Sequence, residues 1–294
     1  MEKTALISIA LCTYNGASFL EEQIMSILNQ THKNIELVIV DDCSTDNTFQ
    51  ISENLAFLYP QIKSFRNTHN LGFNKNFEKA IELTTGEYVA ISDQDDIWLP
   101  SKLEVLLDNI KDKWLVFSNS KLIDEEDKEL GKQILKPDFT LEGKSYKSFL
   151  FYNSVTGHTS MFNKSFVTYF TPIPPEGYYD WWMGFIAMYH NQAICVNQCL
   201  TLHRIHQKSV TFNAYKQQTK KVLNDEINTN LRLVQTYKGL TTDDKILINK
   251  IAKAYQKKIS LFLINLIIKH YNEYFPDRKP RKWFSKLNFA IKLK

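Results

Sequence analysis

The chain has 294 residues, 44% hydrophobic and 23% charged, with only nine Gly and eight Pro. That composition is globular: it excludes a disordered, collagen-like or low-complexity polymer and leaves room for one large core or a main domain with an appendage. Net charge is +4, but eight Lys and Arg against two acids between Lys269 and Lys294 carry +6, so the first 268 residues sum to −2. A body of that sign argues against a nucleic-acid groove.

Met1-Glu2-Lys3-Thr4 runs straight into a strand-like segment and lacks the pattern of a secretory signal. The longest apolar run, near Ile259–Ile268, is about half the ~20 residues of a membrane span. A cytoplasmic location is expected, with attachment to the cytoplasmic face of the inner membrane left open. Cys12, Cys43, Cys195 and Cys199 form no C-x-x-C pair and lack the histidine spacing of a zinc site, so free, mostly buried thiols are expected.

In chain order, Leu6–Cys12 reads as a buried strand that breaks at Thr13-Tyr14-Asn15-Gly16. A helix follows over 18–29, with Ser18 and Glu21 at capping-box spacing. Ile35–Val40 is a second strand, and Ser44-Thr45-Asp46 offers caps for a helix reaching Leu58. A short strand over Ile62–Phe65 leads through Asn67–Asn70 to a helix over Phe73–Leu83. Next comes the run Glu87–Ser92 into Asp93-Gln94-Asp95-Asp96. Four strands alternating with helices predict a parallel sheet, and each hands over to a polar stretch that would lie on one edge.

Beyond Pro100 a helix over Lys102–Ile110, a strand over Trp114–Ser118 and a polar surface excursion over Asp124–Lys147 are expected. A buried strand follows at Val155–Phe162, and a Pro-rich loop delivers Tyr178-Tyr179-Asp180-Trp181-Trp182 to a helix. A strand at Ala193–Val196 precedes the run Leu200–His206. From about Tyr215 helices are expected to Tyr237 and from Thr242 to Tyr274, as a hairpin packed on the sheet.

The acidic stretch carries the chemistry. Asp93 and Asp95 are two apart, so an extended backbone points both to one side. Two acids on one side repel unless a cation lies between them. Few, hard oxygen ligands suit Mg2+ or Mn2+, which share their shell with substrate phosphates. Acid pairs in solvated turns are also common.

The ordered set Thr13-Tyr14-Asn15-Gly16, Val40-Asp41-Asp42-Cys43-Ser44-Thr45-Asp46, Asn70-Leu71-Gly72 with Lys75-Asn76, and Ser92-Asp93-Gln94-Asp95-Asp96 resembles the family 2 glycosyltransferases, which have the GT-A fold. The form Ser92–Pro100 further resembles rhamnosyltransferase-like enzymes of bacterial surface polysaccharides. The resemblance covers about the first 120 residues and thins to Asp180-Trp181-Trp182 and Arg204-x-His206 beyond. It implies a Rossmann-like, mostly parallel central sheet flanked by helices. The GT-A domain would span 1–212, with a nucleotide-sugar half (1–120) and an acceptor half (121–212). Residues 213–294 would form a helical region ending in the basic amphipathic tail.

The resemblance also implies an inverting transfer from a UDP- or dTDP-sugar to a hydroxyl of a glycan or lipid-linked glycan, using Mn2+ or Mg2+. Thr13, Tyr14 and Asn15 would meet the base and ribose, and Asp42 the imide proton of the base, with Asp41 as contact or brace. Asn70, Lys75, Asp93 and Arg204 would complete the donor site. Asp95, with Asp93 and His206, would hold the metal, and His203 competes for the place of His206. Asp180 would be the base, a position where a helix N-cap is the other reading. His158 would line the acceptor side or sit in the core.

A sugar nucleotidyltransferase shares part of this pattern, but it needs a Gly-rich basic phosphate loop after the first strand, where only Thr13–Ala17 stands. A non-catalytic nucleotide-sugar-binding module is the remaining alternative. The tail, mixing Arg278-Lys279-Pro280-Arg281-Lys282 with Trp283-Phe284, is compatible with an anionic membrane surface, a solvated end or an oligomer contact.

Overall fold

A computed structural model describes residues 5–206 and 219–293. Contacts divide the chain into two compact units, Met1–Leu141 with Val155–Gln207, and Glu142–Ser154 with Lys208–Lys294. The expected boundary at 212 and the expected helix start at Tyr215 lie outside the described residues.

The first unit is a mixed α/β body. Its opening strands, β1 (Ile7–Thr13) and β2 (Ile35–Asp41), are almost wholly buried, as apolar runs covered on both faces must be. With β3 (Ile62–Arg66) and β4 (Tyr88–Ser92) they form a parallel block in the order β3-β2-β1-β4. Helices α1 (Leu20–Leu28), α2 (Thr48–Leu58) and α3 (Phe73–Leu83) connect them. Leu20, Ile24 and Ile27 recur at helical spacing and bury one face of α1 in the same core as Ile7, Ile9 and Leu11.

Past β4 the sheet turns mixed. A two-residue β5 (Ile97–Trp98), α4 (Lys102–Ile110), β6 (Leu115–Ile123), β7 (Glu129–Gln133), β8 (Ser160–Asn163), α5 (Val167–Phe170), α6 (Tyr179–Tyr189) and β9 (Ala193–Arg204) complete the unit. β8 runs antiparallel to β4 and to β6, and β9 runs parallel to β6 and antiparallel to β5.

Several local expectations shift. No side chain caps α1; the Phe19 and Leu20 N–H groups both donate to the Gly16 carbonyl at 3.1 Å, closing the turn without Ser18. Asp46 serves α2 from one position outside its N-cap, Oδ1 accepting from the Thr48 N–H at 3.0 Å, while Ser44 turns back to Asp41. The segment 155–162 opens with a 3-10 turn at Gly157–Thr159 before β8. Ala193–Val196 and Leu200–Arg204 are one strand, kept whole by register shifts opposite Asn119, whose Nδ2 donates to Asn197 Oδ1 at 3.0 Å. The polar excursion contains β7, exposed throughout. All four cysteines are free but only half-buried.

In the second unit α7 (Lys220–Thr236), α8 (Thr242–Tyr255), α9 (Leu261–Tyr274) and α10 (Trp283–Lys292) bury Leu231, Val234, Ile248, Ile251, Tyr255, Ile267 and Tyr271. The single helix expected over 242–274 divides at Ser260, whose hydroxyl accepts from the Leu263 N–H as a new N-cap. No helix among the described residues is long and apolar enough to cross a membrane.

At the amino ends of the first strands the sheet is tied by Glu36. Its carboxylate accepts from Lys63 Nζ at 2.8 Å, from the Ser8 hydroxyl and from the Thr85 N–H and hydroxyl. Burial works to raise this carboxyl, but those hydrogen bonds outweigh it and hold it at about 2. Such a group stabilises the fold fully above its ordinary value of 4.5, and the contribution disappears as pH falls towards about 2. Glu36→Gln is expected to cost about 2–3 kcal/mol near neutral pH and to flatten the acid limb of stability. Urea titrations at stepped pH check this, and an acid limb as steep as in the wild type would refute it.

Candidate active site

Register brings the carboxyl ends of three strands together. Thr13 lies opposite Asp41, and Leu11 opposite Ser92, so Tyr14, Asp42 and Asp93 leave one edge of the sheet side by side. Strand order also reverses around β1, the place where open α/β sheets bind ligands.

The turn after β1 is held from two sides. Asn15 takes a positive φ of 50°, its Oδ1 accepts from the Thr45 N–H at 2.8 Å, and its own N–H donates to Ser44 Oγ at 2.9 Å. Gln94, inside the acidic stretch, accepts from the Tyr14 N–H at 2.9 Å and donates to the Tyr14 carbonyl at 3.1 Å. Gly16 is required by that contact, since a Cβ there would fall 2.1 Å from Gln94 Oε1.

Asp41 and Asp42 have different surroundings. Asp41 is fully buried and accepts from Thr13 Oγ1, Ser44 Oγ and the Ser44 N–H, with Arg66 Nε at 3.4 Å. Asp42 supports the next loop: its oxygens accept from Asn67 Nδ2 at 2.7 Å and from the Leu71 and Gly72 N–H groups at 2.8 and 2.9 Å. Its carbonyl accepts from Asn70 Nδ2 at 3.2 Å. Lys75, in the first turn of α3 beyond that loop, makes an ion pair with Glu78.

The three acids after β4 are separately placed. Asp96 is fully buried; Oδ1 lies 2.8 Å from His203 Nδ1 and accepts from the Arg204 N–H at 3.3 Å, while Oδ2 is buried with no hydrogen-bond partner among the described residues. Asp95 Oδ2 lies 2.7 Å from His206 Nε2, with side-chain exposures of 14% and 10%. Asp93 lies 3.9 Å from His158 Nδ1 and is 35% exposed. His158 stacks on His203 at 4.3 Å and places Nε2 3.0 Å from Ser120 Oγ.

Burial, then the charges of Asp96 and Asp95, push the Asp93 carboxyl up to about 8. Burial would lower His203, but Asp96 prevails and lifts it to about 9. Burial, then the charges of His203 and Lys102, hold His158 well below its ordinary range. Lys102 is itself fully buried, donating to the His158 carbonyl at 2.6 Å with its Nζ 3.6 Å from the Trp98 ring centroid.

Arg204 is buried too. Its guanidinium pairs with Glu22 at 2.7 Å and with Asp127, lies over Phe19, and donates through Nε to the Asp95 carbonyl at 3.0 Å. Asp180 lies in the first turn of α6, whose N-cap is Tyr178; Oδ2 accepts from the Gly157 N–H at 3.2 Å and Oδ1 from the Trp181 N–H at 2.6 Å. Its charge contributes to raising Asp93.

The donor set fits a divalent cation. Ligand atoms of Asp93, Asp96, His158 and His203 lie within 4.8 Å of one another, and Asp96 keeps a buried oxygen with no hydrogen-bond partner among the described residues. Asp95 and His206 form a second pair beside it, more open to solvent. Mixed imidazole and carboxylate ligands suit Mn2+ better than a pure oxygen shell would. The inner pairing of Asp96 with His203, and Lys102 beneath it, are not assigned by the sequence motifs. The readable sign was Thr201-Leu202-His203 on a strand, which turns His203 to the same face as buried Thr201.

Residues 8–170 match the family described as Glycosyl transferase family 2. The chain belongs to that family. Among relatives of this family 2 glycosyltransferase, an uncharacterized glycosyltransferase of Haemophilus influenzae is 28% identical over 77% of this chain and 74% of its own length. The dTDP-rhamnosyl transferase RfbG of Shigella flexneri is 39% identical, over 37% of this chain and only 38% of RfbG. In fold the chain resembles S. aureus TarS, solved with UDP-GlcNAc, at a TM-score of 0.65 and 16% identity over 99% of this chain and 81% of that one. The mixed α/β body with its C-terminal helices is thus of the GT-A type.

Breaking the inner pair should destabilise the enzyme far more than opening the outer one. Asp96→Ala is expected to cost about 3–5 kcal/mol, because it strands a buried His203. Asp95→Ala, at the less buried pair, should cost less, about 1–2 kcal/mol. Chemical denaturation of the two variants measures the difference, and equal losses would refute the distinction.

Proposed function

We propose that this enzyme moves a glycosyl group from a UDP- or dTDP-sugar to a hydroxyl of a glycan or lipid-linked glycan, with inversion, in bacterial surface-polysaccharide synthesis. The single observation that carries the reading is the meeting of nucleotide-side turns, acid–histidine pairs and the Asp180 turn at one sheet edge. UDP-GlcNAc on TarS and the dTDP-rhamnosyl activity named for RfbG support the donor class.

Thr13, Tyr14 and Asn15 offer backbone groups to the base and ribose. Asp42 retains lone pairs for the imide N–H of the base, and Asn70 flanks it, while Asp41 braces the turn. Lys75 lends positive charge near the nucleotide. Asp95, Asp93 and His206 would hold the divalent ion, Mn2+ or Mg2+, with Asp93 shared with the inner cluster of Asp96, His158 and His203. When bound, that ion stabilises the negative charge developing on the leaving diphosphate. Arg204 serves the donor through the Asp95 carbonyl it holds.

Asp180 takes the proton of the acceptor hydroxyl. The oxygen then bonds to the anomeric carbon as the bond to the diphosphate oxygen breaks, and nucleoside diphosphate departs with the electron pair. The Gly157 N–H fixes one carboxylate oxygen, and the first turn of α6 is a favourable place for the anion.

Asp180→Asn is expected to bind donor normally and to lose at least about a thousandfold in transfer, measured by calorimetry with UDP or dTDP and by product release. Retained turnover removes Asp180 as base. Mn2+ is expected to strengthen nucleoside-diphosphate binding in the wild type and not in Asp95→Ala; binding unaffected by EDTA removes the metal assignment.

A further inference from the structure

The second unit presents bulky apolar side chains to solvent in two stretches of chain. In α10 Trp283, Phe284 and Ile291 are 54%, 79% and 53% exposed. Phe284 and Ile291 are seven apart and share a helix face. Ile259, in the turn before α9, and Leu261, the first residue of that helix, are 67% and 82% exposed. Packing brings the two stretches together: Ile259, Leu263, Ala290 and Ile291 line one shallow cavity, with Lys257 and Lys258 at its edge.

The two helices run antiparallel. Lys286 reaches the Ile268 carbonyl, Arg281 donates to the Tyr271 hydroxyl at 2.8 Å, and Arg281 and Arg278 lie over the Phe289 ring at 5.1 and 5.2 Å. The exposed side chains are therefore fixed on a folded scaffold, not displayed by a frayed end.

Charge decides what covers this face. Residues 278–294 contain seven Lys and Arg and no acid, and 257–262 add two lysines and no acid. The nearest carboxylates, Glu273 and Asp277, are bonded to Lys147 and Lys144 at 2.6 and 2.5 Å. A protein partner would need a strongly acidic apolar surface, and a second copy would set like charge against like. We propose that the α9–α10 hairpin is a peripheral docking surface for an anionic lipid bilayer, with Leu261, Phe284 and Ile291 entering the acyl boundary and the lysines meeting headgroups. Trp283 suits the interface itself, being apolar with one polar N–H. This surface is independent of the transfer chemistry.

The test uses the full chain and flotation with phosphatidylcholine vesicles, with or without about one-third phosphatidylglycerol. The protein is expected to float with the anionic vesicles about tenfold better than with the neutral ones, and high salt should release it. Phe284→Ser with Ile291→Ser, and separately Lys282→Glu with Lys292→Glu, should each abolish flotation while the thermal transition and nucleotide binding stay unchanged. Flotation that ignores lipid charge, or survives both double substitutions, overturns the proposal. So does concentration-dependent dimerisation in sedimentation that the same substitutions remove.

Discussion

Three carboxylates leave the end of β4 within four residues, and each must find opposite charge or give up its own. The rest of the first unit is arranged to meet that requirement. β9 returns beside β5 and brings His203 to Asp96 and His206 to Asp95, while Arg204 between them secures the Asp95 carbonyl. Asp93 receives no comparable partner, and its proton affinity rises accordingly. Asp93, the most exposed of the three, therefore meets the crowding by holding a proton and not by an ion pair.

The loops around that charge are made rigid by one another. Gln94 ties the acidic stretch to the Tyr14 backbone, Asn15 ties that turn to Thr45, and Asp42 ties the second strand to the Asn70–Gly72 loop. Asn15 and Cys43 hold positive φ, as does Gly72. Left-handed backbone at non-glycine residues costs free energy and persists only where neighbours over-determine it. Here it occurs twice at adjacent strand ends, with the Asn15 side-chain Oδ1 accepting from the Thr45 N–H of the next loop, so the cost is offset locally. The loops are thus preformed, which leaves little ordering to any ligand that binds there.

How much of this was legible in the sequence depends on distance along the chain. β1 to β4 and their helices are encoded by short apolar runs and polar breaks, so Phe73–Leu83 and Lys102–Ile110 emerge with the very bounds the residues suggest. The strand Ala193–Arg204 extends past the expected Ala193–Val196 because a register shift against β6 absorbs Asn197 and Gln198, which interrupt its apolar pattern. Within the site, the Asp-x-Asp spacing pointed to the acids but not to their partners. His203 and His206 lie more than a hundred residues away, and the choice between Asp95 and Asp96 for each is a matter of how β9 registers on β5. The burial of Lys102 over Trp98 follows from the tertiary packing alone and has no sign in the residues around it.

The same logic explains why the donor side can be read more readily than the acceptor side. Groups proposed for the nucleotide come from loops that directly follow consecutive parallel strands, so strand register alone assembles them. Asp180 and Gly157 come from α6 and from the turn before an antiparallel strand, joined by one hydrogen bond across the chain. The parallel block holds that second half through α3: Asn74 Nδ2 donates to the Pro174 and Gly177 carbonyls at 2.9 and 3.1 Å, its Oδ1 accepts from the Tyr179 N–H at 3.1 Å, and Glu78 Oε1 accepts from the Ile173 N–H at 2.7 Å. The fold thus joins a locally encoded half to one placed by contacts about a hundred residues apart along the chain, and only the first can be read from neighbouring residues.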